Sequence, residues 1–482
     1  MTIIVTILIY FSLLMLISHI TSRNSKSNAA FFKGENKSPW YIVSFGMIGA
    51  SVSGVTFVSV PGMVRGFDMT YMQMVIGFFF GYLIVAHLLL PLYYRLGLTS
   101  IYTYLGKRLG NRSYKTGSLF FLLSRMLGTA AKLYLVCLIL YTYIFQELQV
   151  PFWLIAAGTM VLVWLYTHKS GIKTIVWTDA LQTLCLVLAL IFIFVFVVRY
   201  LNLDFMGVVD TIKNHEHGRI FVFDDWKSSQ NFFKQFFSGV FIVIVMTGLD
   251  QDMMQKNLSC RNLNDAQKNM YYYGFSFVPL NLLFLSLGVL LLVVASKMQI
   301  PLPSLGDDIL PMFATQGYLG KSVEVFFALG VIAAAFSNSD SALTSMTTSF
   351  CIDILEIEKL NEEKAKAKRH KVHILFSILL VLFIIFFKQI NNKSVIDAIY
   401  IIASYTYGPL LGMFSFGLFT RREVMDKWVP YIAILSPIVC YAIEQLVHTY
   451  TGYRFGYELL MLNGLLTFTG LYLFSIKSNK RV

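Results

Sequence analysis

Apolar runs of about 18–25 residues recur from one end of this chain to the other, each long enough to cross a hydrocarbon core of roughly 30 Å. About thirteen are readable, near residues 2–20, 40–62, 70–94, 116–146, 150–167, 174–199, 232–257, 270–296, 321–353, 372–388, 394–419, 428–446 and 455–476. Strand-period alternation is absent, which argues against a barrel. The expected fold class is all-α: a polytopic membrane protein of about thirteen transmembrane helices, one domain, with the lipid bilayer as its solvent. The first run is too long and too weakly flanked by charge to read as a cleaved signal peptide.

A formal net charge of +13 invites a nucleic-acid partner, but its distribution excludes one. Loops of a polytopic chain alternate sides, and about 26 of the 39 lysines and arginines fall in one alternate set. That set holds Arg23, Lys26, Lys33 and Lys37; Arg95, Lys107, Arg108, Arg112 and Lys115; Lys169 and Lys173; Lys256, Arg261 and Lys268; Lys359 through Lys371; Arg421, Arg422 and Lys427; and Lys477, Lys480 and Arg481. This is the positive-inside pattern. It puts the N-terminus outside and the C-terminus in the cytoplasm, in a plasma or inner membrane. The five cysteines form no CxxC pair and read as packed thiols. The external stretch 202–231 carries His215, Glu216, His217, Asp224 and Asp225 without a third ligand spaced to close a metal site. It reads as a solvated loop.

Two features inside the apolar runs carry chemistry. Between Val325 and Leu355, Ser337, Asp340, Ser341, Thr344 and Thr348 fall on one stripe at about 100° per residue. A carboxylate in mid-membrane costs about 2.5–3.5 kcal/mol on insertion scales. Hard oxygen ligands crowded on one face suit a small hard cation, and sodium is the expected ion. The second feature is helix breakers. Gly46, Gly49, Gly54, Pro61 and Gly62 interrupt the second run, and Thr247-Gly248-Leu249-Asp250-Gln251-Asp252 interrupts the seventh. Unwound backbone at that depth is tolerated where it lines a cavity. Two interrupted helices five spans apart point to an inverted-repeat secondary transporter with its site at the midplane.

Four motifs then give the chain a family resemblance. They are Gly49-Ala50-Ser51-Val52-Ser53-Gly54-Val55-Thr56-Phe57 leading to Pro61-Gly62; Trp177-Thr178-Asp179-Ala180-Leu181-Gln182; Gly248-Leu249-Asp250-Gln251 through Gln255-Lys256; and Gly408-Pro409-Leu410-Leu411-Gly412 through Gly417. Together, and in this order, the chain resembles the sodium:solute symporter family over nearly its whole length. The resemblance implies a leucine-transporter-type fold: an extra helix at 2–20, a ten-helix core of two inverted fives at 40–419 with two broken helices, and two C-terminal helices at 428–476. It implies a sodium-coupled symporter working by alternating access, with Na+ as the co-transported ion. By the same resemblance, the carbonyls of Gly49, Val52 and Ala334 and the side chains of Ser337 and Asn338 would hold the ion. The family usually has Ser or Thr where this chain has Asn338. In some members an acid matching Asp179 and two hydroxyls hold a second sodium. Here those hydroxyl positions read Asp340 and Ser341, two carboxylates in one pocket that would bind a cation tightly or share a proton.

The solute is less legible. Arg125 and Lys132 lie seven residues apart on one face of the fourth span. A buried guanidinium forms a bidentate fork for a carboxylate; alternatively Arg125 pairs with a membrane acid such as Asp179, or snorkels to the interface. Ser53 and Thr56 follow Val52 into the same cavity, with Gln73 in reach. This set resembles the family's sialic-acid branch, and the phrase 53–57 is also similar to carriers of monocarboxylates and vitamins. The expected solute is a small organic anion. A neutral sugar or amino acid, or proton coupling, is the alternative. No Ser-His-Asp or metal trio suggests an enzyme, and His87 reads as a packing residue.

Overall fold

The structure, a computed structural model, describes residues 2–22, 28–145, 148–168, 171–390, 395–453 and 455–477. Arg23, Lys26, Lys169, Lys480 and Arg481 of the basic set lie outside the described residues. Helices dominate, in the order α1 (Thr2–Ser22), α2 (Asn28–Lys33), α3 (Trp40–Ser51), α4 (Gly54–Phe67), α5 (Tyr71–Ile84), α6 (Leu90–Leu96), α7 (Thr103–Arg108), α8 (Asn111–Ile139), α9 (Phe152–Thr167), α10 (Ile172–Leu201), α11 (Phe205–Asn214), α12 (Phe232–Val243), α13 (Gln251–Leu258), α14 (Leu263–Met298), α15 (Ile309–Thr315), α16 (Lys321–Ser349), α17 (Glu362–Ile390), α18 (Val395–Thr406), α19 (Gly408–Phe419), α20 (Val429–Thr451) and α21 (Leu459–Leu473). A short antiparallel ladder sets Glu423 opposite Ile476. Seven helical stretches are individually long and apolar enough to cross a membrane, and shorter apolar helices fill 8–21, 152–167 and 459–473.

The remaining candidates are bent pairs, and each bend has a local cause. Between α3 and α4 the chain turns 56°. Val52 leaves helical geometry at φ −76°, ψ 77°. The Ser53 N–H turns to the Ser51 carbonyl at 2.9 Å, so it does not serve the Gly49 carbonyl, its ordinary partner. Between α12 and α13 the turn is 64°. Here Asp250 caps α13, accepting from the N–H groups of Asp252 at 2.9 Å and Met253 at 3.2 Å, as an N-cap should. The freed Gly248 and Leu249 carbonyls accept from the Tyr93 and Tyr102 hydroxyls at 2.8 and 2.9 Å. A third bend, of 43°, separates α18 from α19. Pro409 has no N–H to give the preceding turn, and Asn463 Nδ2 supplies it instead, donating to Ser404 O at 2.9 Å and Tyr405 O at 3.1 Å.

Connecting segments gather at two ends. At one, Ser38 N–H donates to Ser259 O, Tyr94 to Asn257 O, and Arg108 to the carbonyls of Gly417, Thr420 and Arg422, while Lys115 pairs with Glu356. At the other, Asp68 meets His217, Met69 N–H donates to Arg219 O, and Arg65 to Pro303 O. Arg108, Lys115 and Arg422 of the basic set lie at the first end. His87 sits in a π turn and bonds Tyr271. Among the described residues no His, Cys, Asp and Glu group could hold a metal ion, in 202–231 or elsewhere.

Candidate functional site

Three helices converge at the first break. Close approach of α3 to α10 needs glycine: a Cβ on Gly49 would lie 2.0 Å from Thr183 Oγ1, and one on Gly46 2.9 Å from Asp179 Cβ. On the other side, a Cβ on Gly54 would touch the Ala334 methyl at 3.8 Å, which seats α4 on α16. Ser337 closes the triangle by donating its hydroxyl to Asp179 Oδ1 at 2.8 Å. A hydroxyl that donates keeps lone pairs for an ion, so this bond orients Ser337 without removing it as a ligand. Gly49, Val52, Ala334, Ser337 and Asn338 are all buried here.

Asp179 has a cation at hand, and it belongs to the chain. Lys256, on α13, sets its ammonium 2.7 Å from Asp179 Oδ2. Ser341 approaches the same oxygen at 3.4 Å. Asp340 accepts from Tyr166 at 2.9 Å and from the Ser341 N–H at 2.6 Å. By sequence Lys256 belongs with the basic loop residues; in the fold it is instead 1% exposed inside the bundle. Lys256 lies six residues beyond the Asp250 cap, on the second half of a broken helix, and its closeness to the break at 248–250 is the one sign in the sequence that it need not leave the bundle.

Arg125 takes the second of its alternatives, with different acids. Its guanidinium bonds Asp252 and lies 3.7 Å from Asp250, and Tyr407 donates to Asp250 as well. Arg125 thus clamps the start of α13 to α8 rather than offering a free fork. Lys132, two turns further along α8, lines the same cavity with a different partner: its ammonium donates to Asn338 Oδ1 at 3.2 Å.

The cavity lies between the two breaks. Ser53 and Thr56 line it, as do Arg125 and Lys132. Aromatic side chains that the motifs did not single out form much of its wall: Phe78, Tyr82, Tyr273, Phe277 and Tyr400. Tyr82 donates to Tyr273 at 2.8 Å, and Tyr273 in turn contacts Ser51. Gln73 is engaged elsewhere. Its Oε1 accepts from the Val222 N–H at 3.0 Å, and its Nε2 donates to Gln230 O at 2.9 Å, which ties the 219–231 segment to α5.

A bundle with two helices broken at facing positions, an unbroken hydroxyl-lined helix against the first break, and a half-polar cavity between them defines a membrane transporter. A model of the sodium:solute symporter family matches residues 31–425, and the chain belongs to that family. The sodium/sialic acid symporter NanT of Aliivibrio fischeri is 25% identical over 426 residues, covering 86% of this chain and 82% of that one. SiaT of Proteus mirabilis, also a sodium/sialic acid symporter, is 24% identical over 454 residues, covering 89% and 87%. The substrate-bound, outward-open structure of a Na+-coupled sialic acid symporter superposes with a TM-score of 0.83 at 19% identity, covering 99% of both chains. The inverted-repeat fold is therefore that of this chain, which is a multi-pass, sodium-coupled solute symporter with Na+ as its co-transported ion.

Proposed function

We propose that this symporter imports a small carboxylate-bearing solute, of the sialic-acid or monocarboxylate kind. The observation that carries this is the contrast between its two cavity bases. Arg125 is neutralised by Asp250 and Asp252, whereas Lys132 has no ion-paired carboxylate among the described residues and leans on a neutral amide. An ammonium at a membrane cavity stabilised only by an amide is a ready partner for an anion. Ser53 and Thr56 would add hydroxyls beside it. The relatives named for sialic acid agree with an anionic solute.

The sodium would be held by the carbonyls of Gly49, Val52 and Ala334 and by Ser337 and Asn338. Neutral oxygens bind a monovalent ion weakly enough to release it. Asp179, Asp340 and Lys256 carry a net charge of −1 when all are ionised. With Ser341 beside them they leave room for one further cation. We assign the crossings to all thirteen apolar stretches, with 40–419 as the core between helices 2–20 and 428–476. The N-terminus then lies outside and the C-terminus in the cytoplasm of the plasma membrane, a reading supported by Arg108, Lys115 and Arg422 of the basic set lying at one end.

Uptake of radiolabelled N-acetylneuraminate and lactate into proteoliposomes, with sodium or choline outside, tests the function. Sodium-dependent uptake of at least one is expected, with loss in Lys132→Met. Uptake of neutral sugars alone would overturn the reading.

A further inference from the structure

Asn338 stands at the meeting point of the proposed sodium site and the cavity, and its amide is engaged on both sides. Oδ1 accepts from the Lys132 ammonium at 3.2 Å, and Nδ2 donates to the Ala334 carbonyl at 3.2 Å. An ammonium can only donate. The atom facing Lys132 must therefore be the oxygen, and the nitrogen is left facing Ala334. Two of the five oxygens assigned to sodium are thus engaged through one side chain: Asn338 Oδ1 by a cation, the Ala334 carbonyl by an N–H. Accepting one bond does not close an oxygen, but an ion binding Asn338 Oδ1 must share that atom with the Lys132 ammonium or find it released.

We propose that Asn338 is a latch through which the solute controls the sodium site. With the cavity empty, Lys132 holds the amide closed. When a solute carboxylate takes the Lys132 ammonium, the amide is released, Oδ1 can turn toward the ion, and the Ala334 carbonyl loses its bond from Nδ2. Solute and sodium then favour each other's binding through one amide, and the coupling is reciprocal. The latch extends the carboxylate reading of Lys132 and rests on it in part. The serine or threonine usual at this position in the family donates and accepts through a single oxygen and has no amide to turn, so this means of coupling would be peculiar to chains with the amide.

The test uses sodium alone, so it stands apart from the identity of the solute. Sodium binding to purified protein is titrated by thermal stabilisation in choline buffer, for wild type, Lys132→Met, Asn338→Ser and the double variant. Removing Lys132 takes away both a repelling charge and the hand on the latch; in the Asn338→Ser background only the charge remains to be removed. Lys132→Met is expected to tighten sodium about tenfold more in the Asn338 background than in the Asn338→Ser background, the scale of one charge-assisted hydrogen bond. Equal effects in both backgrounds would overturn the latch. If Lys132→Met does not yield folded protein, saturating N-acetylneuraminate gives the second measurement. It should tighten sodium in the wild type and do so at least several-fold less in Asn338→Ser, and an undiminished effect would sink the proposal. A wild type that binds no carboxylate at all would instead count against the solute reading, and the sodium-only comparison would still judge the latch.

Discussion

Replacing Arg125 with methionine separates a clamp from a solute anchor. In the structure the guanidinium bonds Asp252 and lies 3.7 Å from Asp250, with all three groups buried. Methionine keeps most of the volume and leaves two enclosed carboxylates without their cation. Breaking a buried pair in this way costs about 3–5 kcal/mol, because the stranded charge cannot be hydrated. The unfolding midpoint of the purified protein, followed by intrinsic fluorescence in choline buffer with no solute, should fall by several degrees. Asp252→Asn in the same background should recover part of the loss, since an amide tolerates burial where an unpaired carboxylate does not. Wild-type thermal stability in Arg125→Met, combined with a loss of solute affinity, would refute this reasoning and restore Arg125 as the anion's partner.

Three further outcomes are expected. Ser337→Ala should raise the half-saturating sodium concentration for uptake about tenfold, a cost of about 1.4 kcal/mol; unchanged sodium dependence would remove Ser337 from the ligand set. Import of a monoanion with two cations moves net positive charge, worth about 2.3 kcal/mol per 100 mV, so an inside-negative potential set by a potassium gradient and valinomycin should accelerate uptake. Indifference to that potential would mean a single cation and leave Asp179 and Asp340 outside the coupling. Asn463→Leu should strand the Ser404 and Tyr405 carbonyls at the third bend and lower stability by about 1–3 kcal/mol, with little change in sodium affinity; full stability would show that these carbonyls find another donor.

The fold was legible because the membrane allows few solutions. Apolar runs and misplaced glycines are one-dimensional signals, and the breaks at Val52 and Leu249 fall where Gly49, Gly54 and Gly248 announced them. The 43° bend before Pro409 is harder to see, because Gly408-Pro409 resembles a family signature and the missing donor shows only in the fold. Long side chains were the harder part. A lysine near a span's end reads as a loop charge, yet Lys256 reaches Asp179 because the inner half of a broken helix runs across the bundle instead of out of it. Gln73 is the converse: its position on α5 suggested the cavity, but a chain segment about 150 residues away supplied its partners. Arg125 and Lys132 share a helix face, and only the position of Asp250 and Asp252 tells which is spent. Pairings across a fold leave no trace in spacing.

The inner half of the second broken helix is bound sideways as well as end-on. Gln251 accepts from the Ile101 N–H at 2.9 Å and donates to Thr99 O at 2.9 Å, beside the bonds from Tyr93, Tyr94 and Tyr102 to the same stretch. Residues 93–102 and 248–258 are thus laced into a single rigid body by five bonds. Whatever rocking exposes the site first to one face and then to the other must carry these two pieces as passengers of one another. The pivots then lie outside the laced unit, and spin labels placed on the two pieces would keep a constant separation through the cycle.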